Sequence, residues 1–433
     1  MGNEWEELPF SEAVSINPKV SLTRGTTYPF VDMTSVNSDF RCAYESEERE
    51  FKGGGSRFQS GDTLLARITP CLENGKISRY CAPSGTVAHG STEFIVIRGR
   101  EGVSNTAYAY YLTKWEGVRG YAISQMTGTS GRQRVPTASL AHLDVPLPPL
   151  SEQVKVAEIL GTLDDKIELN RRMNRTLEVM ARAIFKAWFV DFEPIKAKAG
   201  GATSFGGMPQ HVFGQLPDRF TDTELGPVPA GWEVRPLSDF VELIGGGTPK
   251  RKMANYWDGD IPWFSVRDAP NDGDVWVIDT EEKITHEGVE NSSAKILKPG
   301  TSIISARGTV GRLALTAFPM SINQSCYGVT GRNGVGDFFV YFTLHHAVVE
   351  LQQRTHGSVF DTITRKTFDG LHRVLPQPEL LAAFEEAVGP YLMMVRGNLF
   401  ENGLLANTRD TLLPKLISGE LRVPAAEGGA DAV

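Results

Sequence analysis

The stretch Val156-Ala-Glu-Ile-Leu160-Gly-Thr-Leu163-Asp-Asp-Lys-Ile167-Glu-Leu-Asn170-Arg-Arg-Met-Asn174-Arg-Thr-Leu177 decides the architecture. Its apolar and amide positions continue through Ala181, Ile184 and Trp188 at alternating steps of four and three, the heptad period of a coiled-coil seam. After Gly389-Pro390 a second run keeps the same period through Leu392, Val395, Leu399, Asn402, Ala406, Arg409, Leu413 and Leu416. Two such helices, expected over about 151–190 and about 380–417, pair most simply with each other. Leu160, Leu163, Ile167 and Leu177 are then expected to face Val395, Leu399 and Leu413.

The amides give the direction. Asn170, Asn174 and Asn402 lie near the middles of their helices, so an antiparallel pairing brings them together as a buried polar layer that fixes register at some cost in stability. The alternative is a row of asparagines along a wet edge of the seam. Antiparallel pairing also predicts a domain at each end of a rod. At about 1.5 Å per residue, roughly 38 residues span about 57 Å, so the rod would act as a ruler.

Outside the helices the chain repeats itself. Trp5, Pro9, Phe10, Ser11, Glu12 and Val14 reappear as Trp232, Pro236, Leu237, Ser238, Asp239 and Val241. Gly61-Asp-Thr-Leu-Leu-Ala-Arg67 answers to Gly300-Thr-Ser-Ile-Ile-Ser-Ala-Arg307, and His142 through Pro148 answers to His372 through Pro378. Several anchors in one order point to a duplication and hence to a pseudo-two-fold particle suited to a target with two halves. Residues 1–148 read as short strands (Thr63 to Ile68, Phe94 to Ile97) with a helix near Ala107 to Trp115; residues 216–378 repeat this with a strand at Ser302 to Ser305 and a helix at Phe338 to Gln352. The Gly-, Ala-, Ser- and Pro-rich Ile195 to Gly226 reads as a surface linker.

The bulk properties of the 433 residues narrow the classes. An apolar fraction of 41% with seven Trp indicates well-packed domains. The start of the chain has no signal-peptide core and no run reaches membrane-span length, so a soluble cytoplasmic protein is expected. Cys42, Cys71, Cys81 and Cys326 lack the close pairing of zinc sites and are read as reduced thiols; no metal site or cofactor is expected. A net charge of −8 argues against nonspecific polyanion binding, though not against a specific basic face.

Five segments together resemble the specificity (S) subunits of type I restriction-modification systems. They are Gly245-Gly-Gly-Thr-Pro-Lys250 followed by Tyr256-Trp-Asp-Gly-Asp-Ile-Pro-Trp263; Gly300 to Gly311; Val145-Pro-Leu-Pro-Pro-Leu-Ser-Glu-Gln153; Glu224-Leu-Gly with Gly231-Trp-Glu-Val234; and Leu412-Leu-Pro-Lys-Leu-Ile-Ser-Gly-Glu-Leu421. The resemblance implies an α+β protein with two similar target recognition domains, separated by two long helices in an antiparallel coiled coil. The expected division is a first recognition domain at 1–148, first spacer helix at 149–193, linker at 194–226, second recognition domain at 227–378, second spacer helix at 379–420 and a flexible tail at 421–433. The implied partners are double-stranded DNA, two methyltransferase subunits and, in a full complex, restriction subunits. The first domain lacks the Gly-Gly-Gly-Thr-Pro and Tyr-Trp signatures of the second.

Specific reading of DNA needs fixed donors and acceptors at base edges, with cations at phosphates. The candidates in the first domain are Arg67, Thr69 and Lys76, and Arg132-Gln133-Arg134 in a glycine-punctuated loop. In the second they are Lys250, Arg267, Arg307, Arg312, His356, Arg365 and Lys366. No Asn/Asp-Pro-Pro-Tyr/Phe element or glycine-rich cofactor loop supports methyl transfer by this chain, so that chemistry is expected from a partner. Two other classes compete: a metal-dependent nuclease built on Asp274 and Glu281-Glu282-Lys283, and a coiled-coil adaptor that never touches DNA.

Overall fold

The computed structural model describes residues 5–129, 131–354 and 362–423. The chain forms two compact units, one of residues 1–168 with 403–433 and one of residues 169–402. Each long helix therefore contributes to both. The first runs Leu150–Phe189 and the second Pro378–Ser418.

In the first unit a five-stranded sheet has the order Val14–Ile16, Phe94–Gly99, Thr63–Ala66, Ile77–Tyr80, Cys42–Ala43. Neighbours are antiparallel except the last pair, which is parallel. The second unit repeats this in the strands Val241–Gly245, Cys326–Gly331, Ser302–Ser305, Leu313–Thr316 and Trp276–Val277, again with a parallel final pair. The two central strands, Thr-Leu-Leu-Ala and Ser-Ile-Ile-Ser, are buried at every position because both faces are covered, and so they read as continuous rather than alternating patterns. The helices Thr106–Lys114 and Asp337–Arg354 occupy matching positions in the order of elements. A second sheet differs between the lobes: four strands around Thr27–Val31 in the first, three around Trp257–Phe264 in the second. That difference coincides with the signatures missing from the first domain.

The long helices are antiparallel within each unit. In the first, Val156 and Leu160 share a core with Leu413, Leu416 and Ile417. In the second, Leu177, Ala181, Phe185 and Trp188 share a core with Phe384, Leu392 and Val395, and Leu399 packs at its margin. Asn170 and Asn174 are fully buried. The Asn170 Nδ2 donates to Asn402 Oδ1 at 2.9 Å and to Glu401 at 2.8 Å, while Asn398 Nδ2 donates to Asn174 Oδ1 at 2.8 Å. The two amide pairs exchange when one repeat is laid on the other. Asn398 belongs to the layer although its repeat partner, Asn170, was the only one of the two singled out by the heptads.

The seam departs from the heptad reading in two places. Leu163 and Ile184 are half-buried, and Asp164 and Phe185 take the interior instead. These helices pack against their domains as well as each other, which rotates the buried stripe. Buried Asp164 is satisfied by Arg409 Nη1 and the Tyr111 hydroxyl, both at 2.7 Å. At the head of the first helix, buried Gln153 donates to Pro148 O and Val103 O and accepts from Asn105 N. The Pro-Pro-Leu-Ser-Glu-Gln motif thus locks helix, strand exit and helix Thr106–Lys114 together.

Three expectations change. The segment expected as a surface linker carries helices Glu193–Ala199 and Gln210–Gln215 and the hairpin Phe220–Thr223/Gly226–Pro229, with Ile195, Met208, Val212, Phe213 and Leu216 buried. Its glycines and prolines turn a packed chain rather than loosen it. The expected tail is anchored at its start: Arg422 donates twice to Glu152 at 2.9 Å, and its guanidinium lies 5.2 Å from the centre of the Trp5 ring. Residues 424–433 lie outside the described residues. Cys42 and Cys81, expected as thiols, form a disulfide because neighbouring strands bring their Cα atoms to 5.4 Å, a proximity that a sequence separation of 39 conceals. Cys71 and Cys326 are free. No helix among the described residues is long and apolar enough to cross a membrane.

The amide layer sets two expectations. Asn170→Ala, which removes a fully buried amide and its bonds to half-buried Glu401 and Asn402, is expected to cost about 1–3 kcal/mol. Joint replacement by Asn170→Leu and Asn402→Leu is expected to raise the melting temperature while admitting other registers, read by cysteine cross-linking. A melting temperature unchanged in both would place the amides in water.

Glu385 on the second long helix accepts from Phe339 N at 2.8 Å and Phe338 N at 3.3 Å, capping helix Asp337–Arg354. Burial pushes its carboxyl up to about 7, against the pull of those donors. The folded state then holds a proton that the unfolded state releases near its ordinary value of 4.5. Stability of the natural chain relative to Glu385→Gln is expected to fall as pH rises from about 4.5 to about 7 and to level off above, measured by denaturant titration.

Candidate nucleic-acid interface

The shared topology puts one cleft beside the end of each central strand. In the first domain it measures about 720 Å³ and is lined by Arg67, Lys19, Arg57, Asn17, Ser56 and Thr92 among others, with no carboxylate among the lining residues. In the second it measures about 810 Å³ and holds Arg251, Arg267 and Arg307 with Asp268, Glu281 and Glu282. Arg67 and Arg307 each follow the central strand of their lobe and line its cleft, one position out of register: the residue that answers to Arg67 is Ala306, whose O accepts from Ile363 N as Arg67 O accepts from Val135 N.

Local sequence explains the first cleft. Asn17 ends strand Val14–Ile16 in a left-handed turn at φ 49°, its Oδ1 accepting from Val96 N at 2.9 Å. That turn carries Pro18 and Lys19 into the cleft. Arg57, after the Gly53-Gly-Gly run, lies 4.9 Å over the Phe51 ring. Neither Lys19 nor Arg57 was singled out from sequence. Asn17-Pro18-Lys19 has one proline and no aromatic residue where a methyltransferase element has two prolines and an aromatic, and Arg57 only becomes a neighbour of Arg67 through the second sheet.

The other first-domain candidates divide. Thr127 and Arg134 bridge each other as in a hairpin, with Arg132 exposed and Gln133 half-buried. Arg134 is not presented to a ligand: its guanidinium donates to both Glu93 oxygens at 2.7–3.0 Å. That bond holds the Glu93 carboxyl below its ordinary value, so the pair persists above the ordinary carboxylate range and is lost only on acidification. Thr69 is bound through its backbone N to Gln133 O, and Lys76 donates to Met33 O at 2.8 Å. Both brace the loop.

The second-domain candidates divide likewise. Arg312 donates to Pro270 O and Arg365 to Leu243 O. Lys250, Lys366, Arg267 and Arg307 are exposed, the last two in the cleft. His356 lies outside the described residues. Arg251, which was not among the candidates, pairs with Glu282 and stacks 3.9 Å over the Trp257 ring. The Gly-Gly-Gly-Thr-Pro motif serves packing: a Cβ on Gly246 would run into Asn323 O, and one on Gly247 into the backbone of Ser293 and Ala294.

The residues of the nuclease reading do not converge. Asp274 is half-buried, accepts from Asn174 Nδ2 at 3.0 Å, and has its carboxyl pushed up by burial. Glu282 is occupied by Arg251 and Lys283 by Asp279. Among the described residues no group of three or more His, Cys, Asp or Glu side chains is placed to hold a metal ion.

Comparison with known proteins bears on these clefts. The family model of the type I restriction modification DNA specificity domain matches residues 14–179 and 229–379, one match per repeat. The HindI specificity subunit of Haemophilus influenzae is 25% identical, covering 97% of this chain and 100% of that protein. The MjaIX specificity subunit of Methanocaldococcus jannaschii is 25% identical over 79% of this chain and 76% of its own. The crystal structure of a type I restriction-modification system S subunit from M. genitalium superposes with a TM-score of 0.54 at 13% identity, over 96% of this chain and 97% of that one, a likeness of fold.

Glu93 is expected to control the order of the Thr127/Arg134 hairpin. Glu93→Gln, which removes the charge opposite Arg134, should raise amide exchange in that hairpin while leaving strand Phe94–Gly99 protected. Unchanged exchange in the hairpin would show that its backbone bonds suffice.

Proposed function

The chain belongs to the type I restriction modification DNA specificity family, and from that premise we propose that it reads a two-part DNA target, one part in each cleft. The observation that carries this is that each of two lobes of one topology has a cleft of several hundred Å³ lined by a guanidinium that follows its central strand, Arg67 in the first and Arg307 in the second. Lys19, Arg57, Arg67 and Arg132 in the first domain and Lys250, Arg267, Arg307 and Lys366 in the second are the groups left to meet phosphates and base edges. Thr69, Lys76, Arg134, Arg312 and Arg365 hold the loops that present them. Gln133 stands between, half-buried beside Arg132.

In this reading the chain performs no chemistry. Two methyltransferase subunits dock on the long helices, where Met393 and Met394 are 46% and 50% exposed, and methylate an adenine in each half-site; restriction subunits join in the full complex. Taking the adenine from the stack is the partner's work. The helix pair sets the unread gap between the two half-sites.

Selection of random duplexes by the full chain, co-purified with its methyltransferase, is expected to yield two short blocks separated by a gap of constant length. Adding one heptad to each long helix at matching positions is expected to change the gap and leave both blocks intact. A gap that stays the same would sink the ruler, and absence of any selected sequence would sink the DNA reading.

A further inference from the structure

The second cleft contains three carboxylates in a surface that must approach a polyanion, and their bonding separates them. Glu282 is taken up by Arg251, itself stacked on Trp257. Asp268 spends both oxygens inward: Oδ2 accepts from Ser265 N at 2.7 Å and Ser265 Oγ at 2.9 Å, closing a capping box on the turn Val266–Asp268, and Oδ1 accepts from Glu281 N at 2.8 Å. Asp268 thereby ties the turn bearing Arg267 to the loop bearing Glu281. Those two side chains are 84% and 69% exposed, with Arg267 Nη1 4.0 Å from Glu281 Oε2.

A pair this loose and this wet contributes little to stability. A carboxylate there also repels DNA phosphates, a cost that only selectivity offsets. The first cleft, lined by Lys19, Arg57 and Arg67, carries no such group. On the major-groove edge of a G·C pair, guanine N7 and O6 accept and cytosine N4 donates, side by side. A guanidinium fork beside a carboxylate is the complement of that row. Thymine instead offers O4 and a methyl group, against which the same arrangement leaves one charge unmatched.

We propose that Arg267 and Glu281 together read one G·C base pair in the half-site facing the second cleft, Arg267 donating to guanine N7 and O6 and Glu281 accepting from cytosine N4. This rests on the DNA-reading function proposed above. It makes Glu281, set among residues of the nuclease reading, a determinant of specificity.

The test is sequence selection from random duplexes by the full chain in its methyltransferase complex, for the natural chain, Arg267→Ala and Glu281→Gln, with the other half-site as internal control. Both substitutions sit on exposed side chains, and thermal melts verify that the domain remains folded. Both variants are expected to lose preference at the same single position, one that is G·C for the natural chain, with discrimination there reduced about 5- to 150-fold. Retention of the natural motif by both variants overturns the pair while leaving the DNA reading intact. So does a uniform loss of affinity with a salt slope lower by about 1 for Arg267→Ala, the signature of a phosphate contact. A natural chain that selects no motif fails the DNA reading itself, and the pair with it.

Discussion

Two amide pairs, each with one fully buried member, govern this molecule. Asn170 with Asn402 and Asn174 with Asn398 meet only when the long helices run antiparallel in one register, since a slip by one turn takes the fully buried Asn170 and Asn174 away from their half-buried partners. Apolar contacts on either side stabilise the pairing without selecting among registers. Leucine and valine tolerate a neighbouring turn; amides do not. Each unit also builds its core on the first long helix, through Val156 and Leu160 in one and Phe185 and Trp188 in the other.

The lobes show how one topology is adapted to two surfaces. A five-stranded sheet with the same order and the same parallel edge strand carries a guanidinium after its central strand in both. What surrounds that guanidinium differs because the second sheets differ. In the first lobe four strands around Thr27–Val31 bring Arg57 to Arg67, with Lys19 delivered by the Asn17 turn, and the charged residues of the lining are all cationic. In the second, strand Trp257–Phe264 brings tryptophans that stack Arg251, and the loops that follow mix both signs of charge. A cationic cleft gains affinity from phosphates without regard to sequence, whereas a mixed one gives up some of that for selectivity.

Bonding within each lobe also sorts the arginines, which look alike in the sequence. Arg134 and Arg132 flank the same glutamine, yet Arg134 is bound on two sides by Glu93 and Arg132 is exposed. Arg312 and Arg365 spend their donors on carbonyls of their own lobe. Such residues act through the loops they hold. An arginine's role depends on whether a carboxylate or carbonyl lies within about 3 Å, and that neighbour is usually dozens of positions away.

The duplication, the two α+β lobes, the long helices and their antiparallel sense were all legible in the residues, because each rests on periodicity or repetition, which are properties of order along the chain. The strand at Ser302–Ser305 and the first helix at Leu150–Phe189 follow from the same kind of signal. Tertiary structure alone decided the rest. It moved the seam from Leu163 to Asp164, turned a glycine- and proline-rich linker into packed helices and a hairpin, joined Cys42 to Cys81, and chose Arg267 over Arg134 as an available donor. Each of these depends on which distant group arrives alongside, and distance in space is set by the folding of the sheets, which no local pattern of side chains encodes.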